Sequence, residues 1–167
     1  AVDLEPFYRR DKEKERDIRE RFGLKETDTI LLAVGNWGIR NDLETVIEAT
    51  RLLKPDIKVI LVGKIGLVHH STFEGTHPPE NLITTGLLDH GDVVALMTIA
   101  DICLAPYAEA DQSSQEPGAW SSRKVLEYLA AGKPILMPDV LGREPFLLEG
   151  ENVTLYQPKQ PWSLAQN

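Results

Sequence analysis

The feature that most constrains this chain is a rhythm of short apolar runs that do not alternate in polarity, separated by segments whose apolar residues recur at helical spacing. Thr29 to Val34, Ile57 to Val62, Asn81 to Thr85, Ile102 to Ala105, Pro134 to Met137 and Val153 to Tyr156 read as strands. Leu43, Val46, Ile47, Thr50 and Leu53 mark one intervening helix, Val93 to Ala100 a second, and Val125, Leu126, Leu129 and Ala130 the core face of a third. A strand covered on both faces has no polar side to show, so such runs belong to a parallel sheet sandwiched between helices. The expected fold class is α/β, a doubly wound parallel sheet of five to six strands.

Composition narrows the function. At 167 residues, 42% hydrophobic and 26% charged, the chain suits a single globular domain with one substantial core. Its net charge of −8 argues against general attraction to nucleic-acid backbones or anionic lipid, and leaves room only for a small local anion site. No apolar run approaches the ~20 residues that cross a bilayer, and the opening residues carry no signal-peptide pattern. Cys103, the single cysteine, lies in an apolar run and reads as a small core residue.

Glu15 with Arg19 and Asp17 with Arg21 predict i,i+4 ion pairs on a solvated surface helix from about Asp11 to Phe22, docked along one edge and stopped by Gly23. Two long connections follow strand ends, Lys64 to Pro79 and Pro106 to Trp120, where open α/β sheets bind ligands. His69, His70 and His77 in the first of these lack the spacing of a metal site, so no metal is expected.

Gly35-Asn36-Trp37-Gly38 directly follows the first strand, and a glycine turn there lets a ligand approach backbone amides. It is neither Gly-x-Gly-x-x-Gly nor a P-loop, so a dinucleotide or flavodoxin-like domain is disfavoured. Gly63-Lys64-Ile65-Gly66 repeats the arrangement after the second strand and makes Lys64 a candidate phosphate contact. The richest segment runs from Ser121 to Pro134. Ser121 suits a helix N-cap, and the amides from Ser122 to Lys124 would then face an anion. Glu127 follows roughly 7 Å down the helix, about the spacing between a pyrophosphate and its ribose hydroxyls. A plain surface salt bridge between Lys124 and Glu127 is the competing reading.

At these residues the sequence resembles the C-terminal, donor-binding domain of GT-B glycosyltransferases, in particular glycosyltransferase family 4 (glycosyl transferases group 1). Ala1-Val-Asp3 resembles that family's interdomain linker, and Ile30 to Leu53 its first strand, turn and helix. Asn81 to Ala105 is similar to its central block, Ser122 to Pro134 to its Ser-Lys-x-x-Glu-Tyr-x-Ala-Ala-Gly-Lys-Pro block, and Glu149 to Pro158 to its closing block. Departures are specific. Asn36 and Asn41 stand where the family places an Arg and a Lys, with Arg40 as a stand-in, and Ala119 stands at the first glutamate of Glu-x7-Glu, with Glu116 three residues early.

The resemblance implies a Rossmann-like half of a GT-B fold. Residues 1–26 are read as interdomain linker and first surface helix, and 27–167 as the donor domain, ending short of the family's final helices. It further implies binding of a nucleotide diphosphate sugar, UDP-sugar by family frequency, for retaining transfer to an acceptor held by an absent N-terminal domain. No metal or other cofactor is expected, and the fragment alone should turn over little. Glu116 is carried over as the catalytic position, and Asn36, Trp37, Gly38, Arg40, Lys64, Leu88, Ser122, Lys124, Val125 and Glu127 as donor-binding positions. The expected location is cytoplasmic, with any peripheral membrane contact made by the other domain. The alternative is a non-catalytic nucleotide-sugar-binding or regulatory domain, motivated by the missing glutamate and cations.

Overall fold

The computed structural model describes residues 2–38, 40–65, 77–108, 123–140 and 145–167. Among them β1 (Thr29–Val34), β2 (Ile57–Val62), β3 (Leu82–Gly86), β4 (Ile102–Leu104), β5 (Ile135–Pro138) and β6 (Val153–Tyr156) form one sheet. All pairings are parallel, in the order β3-β2-β1-β4-β5-β6. The helices are α1 (Glu5–Tyr8), α2 (Lys12–Phe22), α3 (Leu43–Leu52), α4 (His90–Ile99), α5 (Arg123–Ala130) and α6 (Pro161–Gln166). This is the doubly wound α/β architecture expected.

The pleat sorts each strand onto two cores. Ile30, Leu32, Ile60, Val62, Cys103, Ile135 and Met137 join one cluster with residues of α4 and α5. Leu31, Ala33, Val59, Leu61, Leu104 and Leu136 join the other, against α3 and α6. Successive side chains point to opposite faces, so a strand apolar at every position needs helices on both.

Three helices begin at an aspartate whose side chain accepts a backbone N–H three residues on: Asp11 from Lys14, Asp42 from Thr45 and Asp89 from Asp92. The Asp89 cap starts α4 at His90, three residues before the apolar pattern begins. α1 and α6 escape sequence reading because they are too short to show a period; each carries a proline in its first turn.

Two expectations are corrected. α2 is solvated along most of its length and docks on α4, with Ile18 buried, but its ion pairs are not those expected. The partners of Glu15 and Arg21 lie off the helix rather than at i,i+4. Glu15 accepts two hydrogen bonds from Arg10, at 2.7 and 2.6 Å, and Arg21 pairs with Asp92 at 3.0 Å. On α5 the deepest residue is Tyr128, fully buried, and with Val125 it takes the core position assigned to Leu126. His69 and His70 lie outside the described residues.

Candidate functional site

β1 and β4 are neighbours, yet the chain leaves them in opposite directions, toward β2 and toward β5. Such a switch point opens a crevice at the carboxyl ends of the strands, where open α/β sheets bind ligands. The β1–β4 register reaches only Leu32–Cys103, so the ladder stops short of Val34. Tyr128 fills the gap from α5: its hydroxyl accepts the Val34 N–H at 2.8 Å and donates to the Leu104 carbonyl at 3.4 Å.

Above that point the two loops are stitched together. The Asp42 N–H donates to the Pro106 carbonyl at 2.8 Å, the Ala108 N–H to the Arg40 carbonyl at 3.0 Å, and Asn41 bridges Tyr107 in antiparallel fashion. On the other side of β1 the strand ends crowd. Gly63 has φ +119°, and a Cβ there would lie 1.8 Å from the Gly35 carbonyl oxygen. No other residue fits, because both the conformation and the space are closed to a side chain.

Lys124 reaches into this crevice from the first turn of α5. Its ammonium donates to Asn41 Oδ1 at 3.0 Å and lies 4.5 Å from the centre of the Tyr107 ring. Asn41 is itself buried, and its Nδ2 donates to the Asn36 carbonyl at 2.7 Å. Gly35 lies against this ammonium, since a Cβ there would meet the Lys124 nitrogen at 3.5 Å, an ordinary van der Waals contact. Burial pushes the Lys124 amine down to about 8. Three residues along the helix, Glu127 is mostly buried and pairs with Arg123 at 3.1 Å, not with Lys124; Arg123 itself is largely exposed.

The other sequence candidates separate. Asn36 and Arg40 are exposed on the first loop, and Gly38 is half-buried beside them. The Trp37 ring points away from the crevice into the core, and both its donors are spent: the indole N–H on the Val62 carbonyl at 3.1 Å, the backbone N–H on Lys64 at 2.9 Å. Trp37 therefore braces the loop, and its side chain is not available to a ligand. The Lys64 side chain is exposed at the end of β2. Leu88 is half-buried against the core, just before the α4 cap, and the Val125 side chain is a core residue. Glu116, Ser121 and Ser122 lie outside the described residues.

Tyr107 and Tyr128 were not anticipated. Tyr107 follows Pro106 in a polar stretch, and Tyr128 sits beside the more conspicuous Glu127. Among the described residues no three or more His, Cys, Asp or Glu side chains gather as a metal site, and no helix is long and apolar enough to cross a membrane. Cys103 is buried in β4, and desolvation pushes its thiol up to about 12, which leaves it unreactive.

Fold and topology together define a parallel α/β domain with its switch point between β1 and β4. The model of glycosyl transferases group 1 matches residues 14–167, and the chain belongs to that family. EpsD of Bacillus subtilis (strain 168) is 26% identical over 140 residues, covering 81% of this chain and 34% of its own length. Anabaena Alr3699/HepE, solved in complex with UDP-glucose, superposes with TM-score 0.77 at 18% identity, covering 99% of this chain and 44% of that one. The C-terminal domain of the glycosyl transferase group 1 family protein LpcC from Francisella tularensis superposes with TM-score 0.67 at 16% identity, covering 99% of this chain and 85% of that one. The chain thus spans about a third of the curated relative and under half of the HepE chain.

Proposed function

We propose that this chain is the donor-binding half of a GT-B glycosyltransferase of family 4, C-terminal in its full-length protein. It binds a nucleotide diphosphate sugar, and a UDP-sugar is the favoured donor. The observation that carries this reading is the Lys124 ammonium, held at the switch-point crevice by Asn41 and Tyr107, with the Glu127 carboxylate on the same helix. An ammonium in a partly desolvated crevice suits a diphosphate, and a carboxylate farther along the helix suits a ribose diol. The complexes of HepE with UDP and with UDP-glucose support the choice of ligand.

In the full-length protein the sugar is passed, with retention, to an acceptor bound by an N-terminal domain, without an obligatory metal ion. Glu116 is the proposed catalytic position and Ser122 a further diphosphate contact. The proposed location is the cytoplasm, with any membrane contact made by the other domain. The test is calorimetric titration of this chain with UDP, GDP and ADP. Binding of UDP in preference to the others is expected; no heat with any of them would refute the proposal.

A second reading, a nucleotide-sugar binder without transfer activity, draws on Asn36 and Asn41, which stand where the resemblance expects cations. Sugar transfer by the full-length protein would end it.

A further inference from the structure

We propose that Asn41 is a positioning residue: its amide aims the Lys124 ammonium at the diphosphate of the bound donor, without neutralising it, in place of a second cation on the first loop. The proposal rests on the donor-binding reading above.

Both ends of the Asn41 amide are used. Oδ1 accepts from Lys124 at 3.0 Å, and Nδ2 donates to the Asn36 carbonyl at 2.7 Å. The backbone of Asn41 bridges Tyr107, whose ring lies 4.5 Å from the same ammonium. One residue therefore ties the first loop, the loop after β4 and the lysine of α5 to each other. Only an amide serves. A carboxylate would accept from Lys124 but could not donate to Asn36, and its charge would satisfy the ammonium before any diphosphate arrived. A lysine at position 41 would repel it.

The surroundings leave the ammonium's charge unspent. The charged and titratable groups on the described segments around it are Arg40 and Asp42 on the first loop, Tyr107 after β4, and Arg123, Glu127 and Tyr128 on α5. Asp42 caps α3, accepting the Thr45 N–H and hydroxyl at 3.0 and 2.7 Å. Arg123 and Glu127 pair with each other, the Tyr128 hydroxyl bridges β1 and β4, and Tyr107 offers its ring face. Among the described residues no carboxylate pairs with Lys124. Desolvation lowers its proton affinity instead. An arriving diphosphate restores that affinity, so donor binding and protonation of Lys124 are linked.

The experiment is calorimetric titration of UDP, and separately of inorganic pyrophosphate, from pH 6.5 to 9.5. The proteins are the parent, Asn41→Leu, Asn41→Asp, Lys124→Ala and the double variant Asn41→Leu/Lys124→Ala, each checked for a cooperative melt. Parent affinity is expected to fall above about pH 8, approaching tenfold per pH unit. Asn41→Leu should lose roughly tenfold at pH 7, and nothing further once Lys124 is alanine. Asn41→Asp, nearly isosteric, should bind more weakly at pH 7 and move the break in the profile to higher pH. Equal losses from Asn41→Leu in both backgrounds, or an unmoved break in Asn41→Asp, overturn the proposal. Pyrophosphate binding with this profile and no UDP binding refutes the nucleotide reading while upholding the role of Asn41. No binding of either ligand refutes both.

Discussion

The Tyr128 hydroxyl accepts the backbone N–H of Val34 at 2.8 Å, across 94 residues of sequence. At the opposite end of β1 the Asp101 carboxylate accepts the Ile30 N–H at 2.8 Å. Side chains thus complete the β1 ladder toward β4 at both ends, where a buried N–H without a partner would be costly. Because Tyr128 lies on α5, this bond also sets the helix that carries Lys124 and Glu127.

Tyr128→Phe keeps the ring and leaves the half-buried Val34 N–H without its partner. The expected loss of stability is about 1–3 kcal/mol, read from the denaturant midpoint, with UDP affinity lowered as well. Unchanged stability and affinity would show that the crevice does not depend on this bond.

Glu127→Ala removes the carboxylate proposed to accept both ribose hydroxyls. Nucleotide affinity should fall at least about tenfold, with 2′-deoxy-UDP losing less on the variant than on the parent. Because Arg123 is 75% exposed, breaking its pair with Glu127 costs at most about 1 kcal/mol of stability. Melting temperature and calorimetry separate the two effects.

Lys124→Met discards an ammonium that burial disfavours. Its folded value is about 8 against 10.5 for the free amine, so the unfolded chain binds more protons between those pH values. Lys124 therefore contributes a rise in stability as pH increases from about 8 to 10.5, opposed above about pH 9 by the buried Cys103 thiol. The difference between the parent and variant profiles isolates the lysine's share. At pH 7 the relieved desolvation is offset by the Asn41 Oδ1 left without its donor, so the net stability change should stay within about 1–2 kcal/mol, and the variant should bind UDP poorly. Melts across this range, with titrations at pH 7, check both statements.

Gly63→Ala places a methyl group 1.8 Å from the Gly35 carbonyl oxygen on a residue with φ +119°. The β1 and β2 ends must then separate, at an expected cost above about 3 kcal/mol. A cooperative melt within a few degrees of the parent would contradict the close approach.

The sheet was legible because its determinants are local. Six short apolar runs and the helical spacing after Leu43 state their elements within a few residues of chain, and parallel pairing follows from polarity alone. Helix faces were less legible. Tyr128 offers a hydroxyl that must find a partner, and sequence spacing cannot say that the partner is Val34. α2 could not be placed from its charges, since Arg10 and Asp92 lie outside the i,i+4 pattern.

At the site, the sequence by itself marked the glycine turns, Lys124 and Glu127 as chemistry on strand ends and a helix start. Only the tertiary structure decided their partners. Trp37 turned out to brace the loop, Glu127 to pair with Arg123, and Asn41, a departure from the expected cation, to grip Lys124 over Tyr107. The reason is physical: an element forms from neighbours along the chain, whereas a crevice is made where β1 and β4 diverge, from residues more than 80 positions apart, and no local pattern encodes which of them meet.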